Sequence, residues 1–259
     1  MQKLAERLLR GENIITAWSG IADASTVEAV ATLGFDAVTL DMQHGAHHEG
    51  SVQQALLAII ARQKPPLVRI PVGRFDMASR ALDFGAESVI APMINTIEDA
   101  RRFAESMKYP PVGERSWGPH LAMHRVGSSS AQEWLEQVNR KTVAFAMVET
   151  REAFAIVDDI LAVDGIDGVF VGPSDFSIAW FRGARIDPLS EDIMEAIATI
   201  AERATAAGKF AGIYVTDPHT VGRFQGMGYR LFAIGNEHVY MAQGANNFLS
   251  AARESLPKA

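Results

Sequence analysis

Cysteine is absent from the 259-residue sequence. Its absence excludes disulfide bonds, thiolate metal ligands and a cysteine nucleophile. No apolar run approaches the roughly 18 residues that a membrane-spanning helix needs. The first ten residues alternate charged with apolar side chains and lack the hydrophobic stretch of a signal peptide. The sequence therefore predicts a cytoplasmic protein that does not contact a membrane.

An excess of positive charge is also missing. The chain has 24 Lys and Arg against 31 Asp and Glu, which gives a net charge of −7 and a pI near 5.5. No basic run is longer than two residues, as at Arg101–Arg102. Because nucleic-acid-binding domains carry a basic face, these values predict that the partners are small molecules and not nucleic acid.

Lysine is scarce, which restricts the available chemistry. An aldolase that works through a Schiff base needs a lysine at the open end of its fold. Lys64, Lys141 and Lys209 precede predicted strands and so belong to the opposite end, while Lys108 follows no strand. A lysine-imine mechanism is therefore disfavoured, although Lys108 stays open as a candidate.

Glycine-rich nucleotide-binding and phosphate-binding turns are missing as well. The turn after the first predicted strand, Trp18–Asp23, lacks the GxGxxG pattern of an open dinucleotide-binding sheet. Residues 215–219 and 234–238, which follow the last two predicted strands, contain one glycine and two acids, a poor phosphate cradle. These features disfavour an open doubly wound sheet, an organic cofactor and a phosphorylated substrate.

Short apolar runs alternate with amphipathic stretches along the whole chain. Eight such strand–helix units within about 250 residues predict one α/β domain over residues 1–259, a (β/α)8 TIM barrel. The predicted strands are Ile14–Trp18, Ala37–Asp41, Leu67–Ile70, Ser88–Ala91, Val143–Val148, Gly168–Val171, Phe210–Val215 and Leu231–Ile234. The predicted helices cover 24–33, 50–62, 74–84, 96–107, 151–161, 189–207, 217–226 and about 236–255. Residues Lys108–Ser130 are predicted to be a long irregular loop.

Polar residues follow several of the predicted strands. Barrel enzymes hold their active sites at the carboxyl ends of the strands, and three acids, a histidine and an arginine fall there. The candidates at these positions are Trp18, Asp41, Gln43, His44, Arg69, Glu149, Gly172, Pro173, Ser174 and Asp175. Trp18 and Gln43 are predicted to contact substrate.

Two of the acids suggest a metal site. Glu149 and Asp175 follow the fifth and sixth strands, and neighbouring strands lie about 4.8 Å apart, so both carboxylates could bind one cation. Oxygen ligands favour Mg²⁺ or Mn²⁺. The alternative is that each acid only caps or charges a helix N-terminus. A zinc site at His44, His47 and His48 is less favoured.

Arg69 ends an apolar strand and carries a charge that it cannot lose. It could stabilise oxyanion charge, or form a structural ion pair with Glu149 or Asp41. His44 lies three residues after Asp41, a spacing that suits an acid–base pair in which the aspartate fixes the imidazole.

The segment from Gly172 to Asp175 joins a strand to the start of a helix. Backbone N–H groups there can bind a substrate carboxylate. The alternative is an ordinary turn capped by Ser174.

Five segments with distinctive residues occur in a fixed order: Gly34–His44, Val68–Arg69, Tyr109–Arg115, Val148–Ala153 and Gly165–Ser177. Together they resemble the HpcH/HpaI family of metal-dependent, class II 2-oxo-acid aldolases along nearly the whole chain. The resemblance implies a carbon–carbon lyase that forms or cleaves 4-hydroxy-2-oxo acids from an aldehyde and the enolate of pyruvate or hydroxypyruvate.

The resemblance also implies roles for individual residues. Glu149 and Asp175 would bind Mg²⁺, Mn²⁺ or Co²⁺, Arg69 would contact the substrate ketone, and the Asp41–His44 pair would transfer protons. The turn that begins at Gly172 would bind the substrate carboxylate.

For the assembly, the resemblance implies a hexamer with exchanged C-terminal helices, in which Asp83 reaches a neighbouring subunit's site.

Two departures from the family pattern make the expected pocket less polar. Relatives often carry Glu at Gln43 and Gln at Met147, so the aldehyde preference and the strength of the base are in question. Two other functions fit the same residues: decarboxylation of an oxaloacetate-type acid, and a non-catalytic barrel that binds 2-oxo acids.

Overall fold

The computed structural model describes residues 3–257. Eight parallel strands close into a barrel in chain order, which confirms the predicted (β/α)8 fold. The strands are β1 (Ile14–Ser19), β2 (Ala37–Asp41), β3 (Pro66–Arg69), β4 (Ser88–Ala91), β5 (Val143–Val148), β6 (Gly168–Val171), β7 (Phe210–Val215) and β8 (Leu231–Ile234). Six of them have the predicted bounds, whereas β1 is one residue longer and β3 is shifted by one residue.

Helices surround the barrel. They are α1 (Leu4–Leu9), α2 (Ala24–Thr32), α3 (Glu49–Ala61), α4 (Phe75–Phe84), α5 (Ile97–Met107), α6 (His120–Arg125), α7 (Ala131–Lys141), α8 (Arg151–Ala155), α9 (Val157–Ala162), α10 (Pro173–Trp180), α11 (Glu191–Ala206), α12 (Val221–Met227) and α13 (Glu237–Ser255), with a 3₁₀ turn at Pro218–Thr220. None of them is both long and apolar enough to span a membrane within residues 3–257.

Two helical predictions were wrong. The stretch Lys108–Ser130 is not wholly irregular, because α6 begins after Pro119, and proline is tolerated where a helix starts. The single helix predicted over 151–161 is two helices, because Ile156 leaves the helical conformation at φ −115° and ψ 20°. Helices α1, α6 and α7 were not predicted, and only the start of α10 was.

The core has two layers, one inside the barrel and one between the barrel and the helices, and the side chains of β5 alternate between them. Its odd-numbered residues, among them Phe145 and Met147, lie inside the barrel with Phe170, while its even-numbered residues pack against the helices. Alternation of side chains along a strand produces this division. The aromatic side chains therefore fill the barrel interior below the carboxyl ends of the strands.

Helix α1 covers the amino-terminal end of the barrel. Leu4, Ala5 and Leu8 belong to the same apolar cluster as the barrel interior. The buried carboxylate of Glu87 accepts hydrogen bonds from the Leu4 backbone at 2.8 Å and from Lys3 Nζ at 3.0 Å. The base of the barrel is thus closed, and the carboxyl ends of the strands form the open face.

Helix α13 packs only loosely on its own barrel. Glu237 is its single buried residue among those described. Apolar side chains along it are exposed, including Met241 at 55%, Phe248 at 83% and Leu249 at 50%. An uncovered apolar face of this kind is typical of a surface that another chain covers.

Candidate active site

A cavity of about 490 Å³ lies at the open face of the barrel. Eight residues predicted from the sequence line it: Trp18, Asp41, His44, Arg69, Gly172, Pro173, Ser174 and Asp175. The structure therefore brings together candidates from β1, β2, β3 and β6. Gln43, Glu149 and Asp83 are not among the lining residues.

Asp41 and Arg69 are neighbours because β2 and β3 pair them in register. Arg69 Nε donates to Asp41 Oδ1 at 2.9 Å, and Nη2 donates to Oδ2 at 2.7 Å. Both side chains are nearly buried, with exposed fractions of 10% and 5%. Arg69 also lies over the Trp18 ring, with its Cζ 4.9 Å from the ring centroid. The ion pair proposed as one role of Arg69 is present, and it fixes the guanidinium at the edge of the cavity.

The electrostatics of this pair favour a charged carboxylate. Burial acts to raise the pKa of Asp41, but the hydrogen bonds and the charge of Arg69 outweigh it and hold the pKa below the usual value. Trp18 Nε1 adds a further hydrogen bond to Asp41 Oδ2 at 3.2 Å. Asp41 is therefore a stable anion that accepts hydrogen bonds, and not a group poised to take up a proton.

The five residues Met42–Ala46, which we call the mouth loop, use all of their backbone N–H groups. The N–H of Met42 donates to the Arg69 carbonyl, and that of Ala46 to the Gly20 carbonyl. The three N–H groups between them donate to the Asp41 carboxylate at 2.9, 3.3 and 3.1 Å. His44 is thus presented to the cavity by a loop that is hydrogen-bonded along its whole length.

We expected the Asp41 carboxylate to fix the His44 imidazole, but the structure gives this carboxylate other partners. The carboxylate accepts from the backbone N–H of His44, and its two oxygens are occupied by Arg69, Trp18 and the loop. We find no hydrogen bond from Asp41 to the His44 ring among the described residues. Arg69 takes the place expected for the imidazole because it lies directly opposite Asp41 on the next strand. Asp41 orients the loop that carries His44.

Glu149 comes directly after β5 and is 1% exposed. Its Oε1 accepts the backbone N–H of Met93 at 2.7 Å. Gly172 passes so close that a Cβ there would lie 2.7 Å from Glu149 Oε2, so only glycine fits beside the carboxylate. Burial raises the pKa of Glu149 to about 7, and the negative charge of nearby Asp175 acts in the same direction.

These two acids fit a cation. Within the described residues, Glu149 accepts a single hydrogen bond and pairs directly with no basic side chain, and a buried carboxylate without a cationic partner is unfavourable. Asp175 is exposed to the cavity beside it. No group of three or more His, Asp or Glu residues in 3–257 forms a metal-binding cluster, so a cation here would take its other ligands from water and substrate.

The turn before α10 places backbone donors at the cavity. Gly172 is the N-cap and Pro173 the first helical residue, so the N–H groups of Ser174 and Asp175 lie in a first turn, where N–H groups have no acceptor inside the helix. The Ser174 side chain does not cap this helix. The turn is therefore suited to bind an anion at the helix N-terminus.

Other predicted residues lie elsewhere. Gln43 does not line the cavity, and its Oε1 is buried without a partner among the described residues. Asp83 lies near the end of α4, where Arg115 Nη2 donates to it at 2.6 Å. His47 is buried between Ser19 and Ser51.

Some cavity residues were not predicted. Phe170 and Tyr214 form an apolar wall with Trp18, with ring centroids 6.0 and 5.5 Å from the Trp18 ring. Asn236 and His238, at the start of α13, complete the rim. The two aromatic residues were read from the sequence only as parts of strands. His238 lay within a turn that was considered only as a phosphate site.

Comparison with known proteins identifies relatives along most of the chain. The family model for HpcH/HpaI aldolase/citrate lyase matches residues 15–243. A hydroxypyruvate/pyruvate aldolase of Rhizorhabdus wittichii is 39% identical over 83% of this chain and 84% of its own. A protein of the same name from Roseovarius nubinhibens is 33% identical over 95% of both chains.

A solved structure is similar as well. An HpcH/HpaI aldolase/citrate lyase family protein from Burkholderia cenocepacia matches with a TM-score of 0.84 at 27% identity, over 96% of this chain and 98% of that one.

Proposed function

The chain belongs to the HpcH/HpaI aldolase/citrate lyase family, and from this premise we propose that it is a metal-dependent pyruvate-type aldolase. It would form or cleave 4-hydroxy-2-oxo acids, with pyruvate or hydroxypyruvate as one partner and an aldehyde as the other. One observation carries the proposal: Asp175, an arginine held by an aspartate and free helix N–H groups line one cavity, and the buried carboxylate of Glu149 lies against Gly172 in its wall.

Glu149 and Asp175 would hold the divalent cation, which can be Mg²⁺, Mn²⁺ or Co²⁺. When bound, such an ion polarises the 2-oxo group as a Lewis acid. The burial of Glu149 supports this assignment, because a cation offsets the cost of burying its charge.

Arg69 stabilises negative charge on the 2-oxo oxygen. Its Nε and Nη2 groups are engaged by Asp41, so its Nη1 group is available to donate a hydrogen bond to the substrate. A donor held rigidly before the reaction stabilises the developing oxyanion without reorganisation. The N–H groups of Ser174 and Asp175 would bind the substrate carboxylate.

His44 transfers the proton at the aldehyde end. Its side chain is exposed to the cavity and can exchange a proton with the aldehyde oxygen or the aldol hydroxyl, directly or through water. Asp41 supports this role by holding the mouth loop, since its own oxygens are fully engaged by hydrogen-bond donors.

The exposed face of α13 supports the assembly that we propose. Its exposed side chains Met241, Phe248 and Leu249 support an exchange of C-terminal helices between subunits of a hexamer. Asp83, remote from the cavity of its own chain, would then lie near a neighbouring subunit's site.

The test of the function is proton exchange and aldol cleavage with a removable metal. Purified protein in D₂O is expected to exchange the C3 protons of pyruvate by NMR and to cleave a 4-hydroxy-2-oxo acid. Chelator should abolish both activities, and Mg²⁺, Mn²⁺ or Co²⁺ should restore them. Arg69→Lys keeps the charge near Asp41 but loses the planar fork, and is expected to exchange about 10²-fold more slowly.

Three results would contradict the proposal. Full activity in chelator excludes a metal, and trapping of a pyruvate adduct by borohydride indicates a lysine imine. Release of CO₂ from oxaloacetate without any aldol cleavage favours a decarboxylase.

A further inference from the structure

We propose that Glu237 is a positioning residue that holds the mouth loop, and with it His44, in place from the first turn of α13. This inference rests on the proposed function, because it assigns Glu237 a role in the step that His44 performs. Glu237 does not line the cavity, and it acts through Gly20.

The connection consists of two successive hydrogen bonds. Glu237 Oε2 accepts the backbone N–H of Gly20 at 2.9 Å. The carbonyl of Gly20 accepts the N–H of Ala46 at 2.8 Å. The end of the mouth loop is therefore linked to α13 through a single residue of the loop after β1.

Close packing reinforces this link. A Cβ on Gly45 would lie 2.9 Å from Gly20 Cα and 2.5 Å from the Asp41 carbonyl oxygen, so the two loops approach at a distance that only glycine permits. Displacement of Gly20 would therefore move the mouth loop as well.

The burial of Glu237 indicates that the contact is not incidental. The residue is 2% exposed, and its Oε1 is buried with no partner among residues 3–257. A buried acceptor that is left unpaired is unfavourable. In a helix that buries no other described residue, a buried carboxyl group with one unpaired oxygen is retained at a cost to stability, as expected for a functional contact.

The mouth loop is thus held at both of its ends. The Asp41–Arg69 pair holds the beginning, and Glu237 holds the end through Gly20. If Glu237 is removed, Gly20 loses its hydrogen bond to α13, and only the second attachment is weakened. The carboxylates, Arg69 and the N–H groups before α10 keep their positions, so binding of the 2-oxo acid should persist while proton transfer by His44 slows.

The experiment compares Glu237→Ala with Glu237→Gln in aldol cleavage by the metal-loaded enzyme. Glu237→Ala is expected to lower kcat by about 10- to 10²-fold, the range that a displacement of 1 Å produces, with KM nearly unchanged. Glu237→Gln retains an oxygen that can accept from Gly20, and should keep kcat within a few-fold of wild type. Glu254→Ala, which removes an exposed glutamate from the same helix, is the matched control and should match wild type.

Two outcomes would overturn the inference: an unchanged kcat in Glu237→Ala, or a kcat in Glu237→Gln as low as in Glu237→Ala. Should Glu237→Ala fail to fold, amide hydrogen exchange in the wild type decides, because the Gly20 and Ala46 amides must be strongly protected. Fast exchange at both also overturns it. Wild-type activity is measured first, so that an inactive wild type rejects the proposed function, whereas an active wild type with an unaffected Glu237→Ala rejects this inference alone.

Discussion

The two ends of the barrel both bury charged side chains, but they satisfy them differently. At the base, Lys108 is 1% exposed. Its Nζ donates to the Asn139 and Thr142 carbonyls and to Asp167 Oδ2, all at 2.7 to 2.8 Å. All three of its donors are therefore used, which also removes Lys108 as a candidate for a Schiff base.

At the open face the buried carboxylate of Glu149 has fewer hydrogen-bonding and charged partners. Glu149 accepts one backbone N–H group, and the nearest acid, Asp175, repels its negative charge. Arg69 keeps one amino group free of Asp41. The difference teaches that burial of charge alone does not mark a site. The open face is marked by Glu149, a buried carboxylate that has no directly paired basic side chain among residues 3–257.

The largest expected loss of activity comes from variants of the two proposed metal ligands, which should leave the fold intact. Glu149→Gln keeps an acceptor for Met93 N–H but removes a metal ligand, and Asp175→Asn removes the other. Each is expected to lower aldol activity by about 10³-fold, which corresponds to several kcal/mol of lost stabilisation. The thermal midpoint of Glu149→Gln should be unchanged or higher, because a buried charge is removed. Steady-state kinetics and calorimetry check this pair of results.

A fall in thermal stability without loss of activity in Glu149→Gln would contradict the comparison. Glu191→Gln serves as a control for the loss of an acid, because it pairs with Arg223 on the outer surface. It should leave both activity and thermal midpoint as in the wild type.

At the base the opposite result is expected. Lys108→Met leaves Asp167, whose side chain is 28% exposed, without its cation, and loss of one partner of this partly buried pair lowers the free energy of unfolding by about 3 kcal/mol, the lower end of the range for buried pairs. Activity per folded molecule, measured well below the unfolding temperature, should stay close to wild type. Denaturant unfolding measures the loss.

The double variant Lys108→Met with Asp167→Asn sharpens this test. The amide oxygen can still accept from the Ala144 N–H group, as Asp167 does at 2.7 Å, and no buried charge remains. Stability should recover most of the loss. A double variant as unstable as the single one would show that packing, and not charge, is responsible.

The smallest expected effect is on the stability of the protein at low pH. The pKa of Asp41 is lowered in the folded state because Arg69 outweighs burial. A lowered pKa contributes stability that is present above the ordinary carboxyl value of about 3.9 and is lost as pH falls through the folded value. Unfolding free energy should therefore fall less steeply below pH 4 in Asp41→Asn than in the wild type. Equal slopes would contradict the assignment.

Most of the barrel was predictable because its strands are buried on both faces and read as unbroken apolar runs. The contact between Asp41 and Arg69 follows from register once the strands are known. Helix α7 was missed because it buries only Val138 and is mostly polar, so few apolar residues mark it in the sequence. Helix α1 was missed because it has six residues.

The finer geometry of the site has no sequence signature. The hydrogen bond to Glu149 comes from the backbone of Met93, and any residue can supply an N–H group. The mouth loop is likewise held by backbone donors of five residues. Sequence reasoning offered Asp41 both the His44 ring and Arg69 as partners, and the strand register brings Arg69 to it.

The closed base of the barrel affects the order in which substrates bind and products leave. Leu4, Ala5 and Leu8 fill the amino-terminal end of the barrel. Among residues 3–257, the barrel interior therefore opens at the carboxyl ends of the strands and is closed at the other end. Both reactants must therefore enter, and the product must leave, through the open face at the carboxyl ends of the strands. The 2-oxo acid, whose proposed ligands lie deepest, would then have to enter before the aldehyde and depart after it, so that steady-state kinetics should follow an ordered sequence.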